Sequence, residues 1–125
     1  MPATRRGFLV AAGLAALPAV ATADDELVVL GRRLTGLLSG PESAHHIAVA
    51  YLSGLGGTGW RRAALDLDMP AVLAPASGIT ELDSLRTWLG ARIRADFESG
   101  DVIEVDGWRL SRAEVGACVL ASGVA

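Results

Sequence analysis

Glycine and proline cut this chain into short segments, and their spacing constrains the fold more than any other sequence feature. The breakers are Gly40-Pro41, Gly56-Gly57, the stretch from Pro70 to Pro75, Gly100 and Asp106-Gly107. Between most of them the apolar residues recur with a helical period. Leu27, Leu30, Leu34 and Leu37/Leu38 mark a first helix that Gly40-Pro41 stops. Ser39 and Pro41 suit the start of a second, because the missing proline N–H costs nothing in a first turn. Ile47, Ala48, Tyr51, Leu52 and Leu55 are its apolar stripe, and Gly56-Gly57 ends it. The tight join predicts that these two helices pack as an antiparallel pair. Trp60, Ala63, Ala64 and Leu67 suit a short third helix between Gly59 and Met69, whereas Pro70 to Pro75 reads as loop. Thr80 is placed to cap a long helix whose Leu82, Leu85, Trp88/Leu89, Ile93 and Phe97 share one face, and Gly100 closes it.

Residues 102–110 do not fit the helical period. Val102 to Val105 and Trp108 to Ser111 flank Asp106-Gly107. A two-residue type I′ turn needs positive φ at both central positions, so Asp-Gly between β-favouring runs signals a hairpin. A two-stranded hairpin is marginal alone, so this one must lean on the helices, through Val102, Val105 and Trp108. Ser111-Arg112-Ala113-Glu114 then reads as a capping box, opening a last helix from about Arg112 to Ala121. The expected fold is mainly all-α, a small bundle of four to five helices with one short β-hairpin near 102–110.

The first 23 residues have a different character. Arg5-Arg6 precede an apolar run from Gly7 to Ala21, and Ala21-Thr22-Ala23 stands before Asp24-Asp25-Glu26. A positive n-region, a short apolar span and small residues at a cut define an export signal. Thr4-Arg5-Arg6-Gly7-Phe8-Leu9 resembles the twin-arginine consensus, with Val10 where that consensus often has lysine. Gly13 and Pro18 temper the hydrophobicity of the span, which also suits the twin-arginine translocase. Arg5, Arg6, Phe8 and Leu9 are thus the expected export determinants and Ala21 and Ala23 the expected cleavage determinants. Spanning a bilayer takes roughly 20 apolar residues, more than Gly7 to Ala21 offers, so no permanent membrane insertion is expected. The mature protein is expected to begin at Asp24, to form one small domain over 24–125 and to reside in the periplasm.

The full chain carries a formal charge of −3, and loss of Arg5 and Arg6 would make it more acidic. That balance argues against nucleic acid as a partner. All 11 basic residues are arginine. Cys118 is the sole cysteine, so an intrachain disulfide is impossible; a buried small apolar side chain in the last helix is expected, with an intermolecular disulfide as the alternative. Adjacent helical residues diverge by about 100°, so His45-His46 suits a solvated face better than one metal. Asp24-Asp25-Glu26 lacks the alternating acids and glycine of a calcium loop. Gly54-Leu55-Gly56-Gly57 follows a helix rather than a strand, which makes it a terminator and not a phosphate loop. Ser111 sits in a capping box without a nucleophile elbow around it. No catalytic, cofactor or metal residue is therefore assigned. Tryptophan is enriched at interfaces, and Trp60, Trp88 and Trp108 are the candidate partner-binding residues, two expected in the core and one facing a partner.

Leu30-Gly31-Arg32-Arg33-Leu34-Thr35-Gly36, followed by Ala48-Val49-Ala50-Tyr51-Leu52-Ser53-Gly54-Leu55, resembles the opening of the small subunits of membrane-bound FAD-dependent sorbitol and fructose dehydrogenases. Val105-Asp106-Gly107-Trp108-Arg109-Leu110-Ser111 and Glu114 are similar to the tail of small exported proteins of that kind. The resemblance implies a non-catalytic helper. FAD would sit on a separate flavoprotein large subunit, haem on a cytochrome c subunit, and this chain would support folding and export of the large subunit. It transfers no catalytic residue. The alternative expectation is a free-standing periplasmic binding or envelope-helper protein.

Overall fold

A computed structural model describes the backbone of residues 17–37 and 40–124 and most side chains from Glu26 onward. Arg5, Arg6, Phe8 and Leu9 lie outside the described residues. The chain is mainly helical, with one short antiparallel hairpin, as its punctuation predicts. Its elements are α1 (Leu17–Thr35), α2 (Pro41–Gly54), α3 (Trp60–Asp66), α4 (Met69–Leu73), a 3-10 turn (Ala74–Ala76), α5 (Leu82–Ser99), β1 (Val102–Val105), β2 (Trp108–Ser111) and α6 (Arg112–Val124).

The architecture is centred on α6. Ala113, Val115, Gly116, Ala117, Cys118, Val119, Leu120 and Ala121 are all buried, and a helix apolar all round belongs in the middle of a fold. α1, α2, α3 and α5 each pack against it. Small residues permit the close approach. A Cβ on Gly31 of α1 would stand 2.8 Å from the Leu120 carbonyl oxygen and 2.7 Å from Val124 Cγ1. One on Gly116 would overlap the Met69 side chain, and one on Gly123 the Trp60 ring. Leu27, Leu30, Leu34 and Leu37 from the α1 region, Ala44 and Ala48 of α2, and Leu85 and Leu89 of α5 complete the core.

This centre corrects the expected pairing of α1 with α2. Both helices pack on α6 instead of chiefly on one another. Their short connection fixes where each starts and stops, whereas the choice of neighbour follows the small-residue surface of α6. The loop expected over Pro70 to Pro75 is also corrected. Pro70 lies in the first turn of α4 and Pro75 in the first turn of the 3-10 helix, where a proline removes no needed donor. Met69, Val72, Leu73 and Ala76 are buried there. Arg33 of α1 holds the segment from outside. Its Nη2 donates to the carbonyl of Ala76 at 3.2 Å and to that of Ile79. Thr80 does not cap α5: the N-cap is Glu81, with no side-chain capping bond.

The start of α6 accounts for all three of its first amide donors. Arg112 N–H donates to the carbonyl of Asp101 at 3.1 Å. Ala113 N–H donates to Asp96 Oδ2 at 2.9 Å, and Glu114 N–H to Ser111 Oγ at 2.9 Å. The Ser111 half of the expected capping box is thus present, and a carboxylate from α5 supplies a second cap. Asp96 is only 2 % exposed and also accepts from Arg92 Nε at 3.2 Å. Arg112 ties the same corner together. Its Nε donates to both Asp101 oxygens, at 2.9 and 3.1 Å, and its Nη1 to the carbonyl of Leu67 at 3.3 Å. The bond to Asp101 raises the Arg112 pKa above its ordinary value.

Candidate functional site: an exposed tryptophan over an apolar cleft

The β-hairpin is built by its turn. Asp106 has φ of 52° and Gly107 of 85°, the positive pair a type I′ turn requires. Val105 pairs with Trp108 and Ile103 with Leu110. Cross-strand partners share a face, so these four apolar side chains line one side of the hairpin. Val105 is buried, and Ile103 and Leu110 are half-buried against the core. Trp108 is 72 % exposed, the most exposed large apolar side chain among the described residues. The expectation that Trp108 anchors the hairpin is therefore corrected: Val105 is buried and does so, while Trp108 beside the turn is left exposed.

A cleft of about 310 Å³ opens between this face and α2, lined chiefly by Ile47, Ala50, Val105, Trp108 and Leu110. Ser43, His46 and Asp106 form its polar margin. His46 Nε2 and Asp106 Oδ2 stand 3.8 Å apart, with side chains 75 % and 69 % exposed. A pair that wet and that distant contributes little to stability. Exposed Val49 on α2 extends the apolar surface of that helix.

The other two tryptophans behave differently. Trp60 and Trp88 are half-buried and pack against the core. Trp60 lies over Gly123 and carries the Arg61 guanidinium at 4.6 Å from its ring centroid, a cation–π stack. The division into two inward tryptophans and one outward tryptophan, unassignable from sequence, places Trp108 outside.

A second cavity, of about 210 Å³, lies between α2, α5 and α6, with Ala44, Ile47, Leu89, Ile93, Ala117 and Cys118 in its wall. The Cys118 thiol is buried and unpaired with another sulfur. Burial, with a lesser push from Glu114, raises its pKa to about 11. It stays protonated at neutral pH and is a poor nucleophile. His45 and His46 are exposed, as expected for a solvated face. His45 Nδ1 is hydrogen-bonded to Ser122 Oγ at 2.8 Å, which ties α2 to the end of α6. Among the described residues no three His, Cys, Asp or Glu side chains converge on a point that could hold a metal. No described helix is long and apolar enough to cross a membrane.

Ala21 and Ala23 fall within α1, whose helix runs unbroken from Leu17 to Thr35. Asp96 and its contact with the start of α6 are not legible in the sequence, because nothing in the α5 periodicity distinguishes a buried acid from an exposed one. Comparison with protein-family models, with curated proteins and with solved structures gives no match.

Proposed function

We propose that this chain is an exported binding subunit whose docking surface is the Trp108 cleft. More particularly, we propose that it is the non-catalytic small subunit of a periplasmic flavin-dependent sugar or alcohol dehydrogenase. In that role it shields apolar surface on the flavoprotein large subunit and carries it through the twin-arginine translocase. FAD and haem reside on partner subunits, the latter on a cytochrome c.

The observation that carries the binding role is Trp108, 72 % exposed over an apolar cleft. An aromatic with an apolar body and a single N–H donor is the residue type that dominates binding energy at interfaces. Its platform is rigid, since a two-residue turn and a buried Val105 fix the strand beneath it. The flavoprotein partner is supported by the resemblance of residues 30–36, 48–55 and 105–111, and the export role by Arg5-Arg6 and the apolar run behind them.

The test is co-expression with a flavin-dependent dehydrogenase large subunit of the proposed class, taken from the neighbouring genes. Changing both Arg5 and Arg6 to lysine should strand that partner in the cytoplasm. Continued export of the partner from such cells would refute joint export. Trp108→Ala should abolish co-purification without altering the fold, and undiminished co-purification would exclude the cleft as the docking surface.

A further inference from the structure

We infer that removal of the leader is gated by unwinding of the first turns of α1. The inference rests on the export reading of residues 1–23. The expected cut between Ala23 and Asp24 falls inside one unbroken helix, Leu17–Thr35, and not in a loop. Hydrolysis there adds water across the amide, leaving a carboxylate on Ala23 and an ammonium group on Asp24. In a helix, neighbouring carbonyls and N–H groups are tied to residues four positions away, so a signal peptidase cannot lay the segment out along its cleft. Cleavage then proceeds through the locally opened population. A carrier that crosses the membrane folded arrives with this helix already formed.

Two features bear on the opening. Leu27, Leu30 and Leu34 are buried and lie on the mature side of the cut, so unwinding as far as Asp24 leaves them seated on α6. Asp24, Asp25 and Glu26 lie mid-helix in the uncut chain, and after the cut they become its first turn. Acids are favoured there by the helix dipole, as Arg32 and Arg33 are in the last turn. The trimmed helix therefore has charges suited to both ends, and the uncut one has them at the C-terminal end alone. The rate of leader release then scales with the fraction of chains open at the cut and not with encounters with the peptidase alone.

Thr22 permits the test, because it is the middle position between the two small residues that mark the cut. Glycine and alanine differ in helix propensity enough to change the open population about fivefold. Pulse-chase of the full-length chain in cells should show Thr22→Gly processed about fivefold faster than Thr22→Ala. Hydrogen exchange of the purified uncut protein should show protected amides at residues 21–24. Equal processing of the two variants, or unprotected amides at 21–24, would overturn the gating. Unimpaired export and processing after both Arg5 and Arg6 are changed to lysine would instead overturn the twin-arginine route, and with it arrival in the folded state; a parent chain that is never processed would overturn the export reading beneath it.

Discussion

Replacing Asp96 by alanine tests whether the α5 carboxylate holds the start of α6 in place. Asp96 is 2 % exposed, and its Oδ2 takes the buried Ala113 N–H at 2.9 Å. Alanine leaves that donor unsatisfied, which costs about 1–3 kcal/mol. It also removes a negative charge from a helix N-terminus, worth up to about 2 kcal/mol where partly buried. Arg92 loses its partner as well, but its side chain is 36 % exposed and can turn to water. The sum is about 3 kcal/mol against a total stability on the order of 5–15 kcal/mol, and with about 4–8 °C per kcal/mol for a domain of this size the midpoint should fall by about 15 °C. Asp96→Asn retains an oxygen for Ala113 but loses the charge and the oxygen that accepts from Arg92, whose side chain can turn to water, so it should cost about 1 kcal/mol. Urea titration of the two variants and the parent, followed by circular dichroism, measures the ladder. A loss below about 1 kcal/mol for Asp96→Ala would refute the capping account, as would equal losses for the two variants.

Four further outcomes are expected. Trp108→Ala should leave the thermal midpoint unchanged while weakening binding to the proposed flavoprotein partner by about 2 kcal/mol or more, read by calorimetry with that protein. Gly107→Val puts a β-branched residue at φ of 85° and should lower stability by at least about 1 kcal/mol, seen as a drop in the urea midpoint. Gly31→Val should cost about 1–3 kcal/mol by overpacking, since even a Cβ there meets the Leu120 carbonyl oxygen at 2.8 Å; thermal melting would show it. For Cys118, ionisation is shifted from 9.0 in the unfolded chain to about 11 in the fold. Its contribution is intact below pH 9 and is lost between pH 9 and 11, because the unfolded state sheds its proton first. Stability should fall there by up to about 1.4 kcal/mol per pH unit, and Cys118→Ala should flatten that part of the profile.

The elements that local chemistry controls were legible in the sequence. Gly40-Pro41 sets the start of α2, Gly100 closes α5 with φ of 81°, and Asp106-Gly107 fixes both the hairpin and its turn type. Ser111 was readable as a cap because its partner is only three residues away. What escaped depends on contacts distant in sequence. Pro70 and Pro75 look like loop residues until their first-turn positions are known. The α1–α2 pairing was inferred from a short connection, while the deciding factor is the close approach that Gly31, Gly116 and Gly123 allow around α6. Asp96 reads as one more polar residue of α5, and only the arrival of Ala113, 17 positions on, makes it a cap. The exposure of Trp108 is not legible either, since Trp108 alternates with its neighbours as a core residue would.

The central position of α6 also bears on the order of synthesis. Leu27, Leu30 and Leu34, Ala63 and Ala64, and Leu85 and Leu89 all leave the ribosome before the helix that buries them. Until Arg112 to Val124 are made, each earlier helix has only marginal support of its own, and most of its apolar stripe stays wet. The domain therefore gains its core late and nearly all at once. A chain stopped short of α6 would hold the other described helices and no stable core. On the proposed twin-arginine route, which accepts folded proteins, completion of α6 would decide whether the first residues made are honoured.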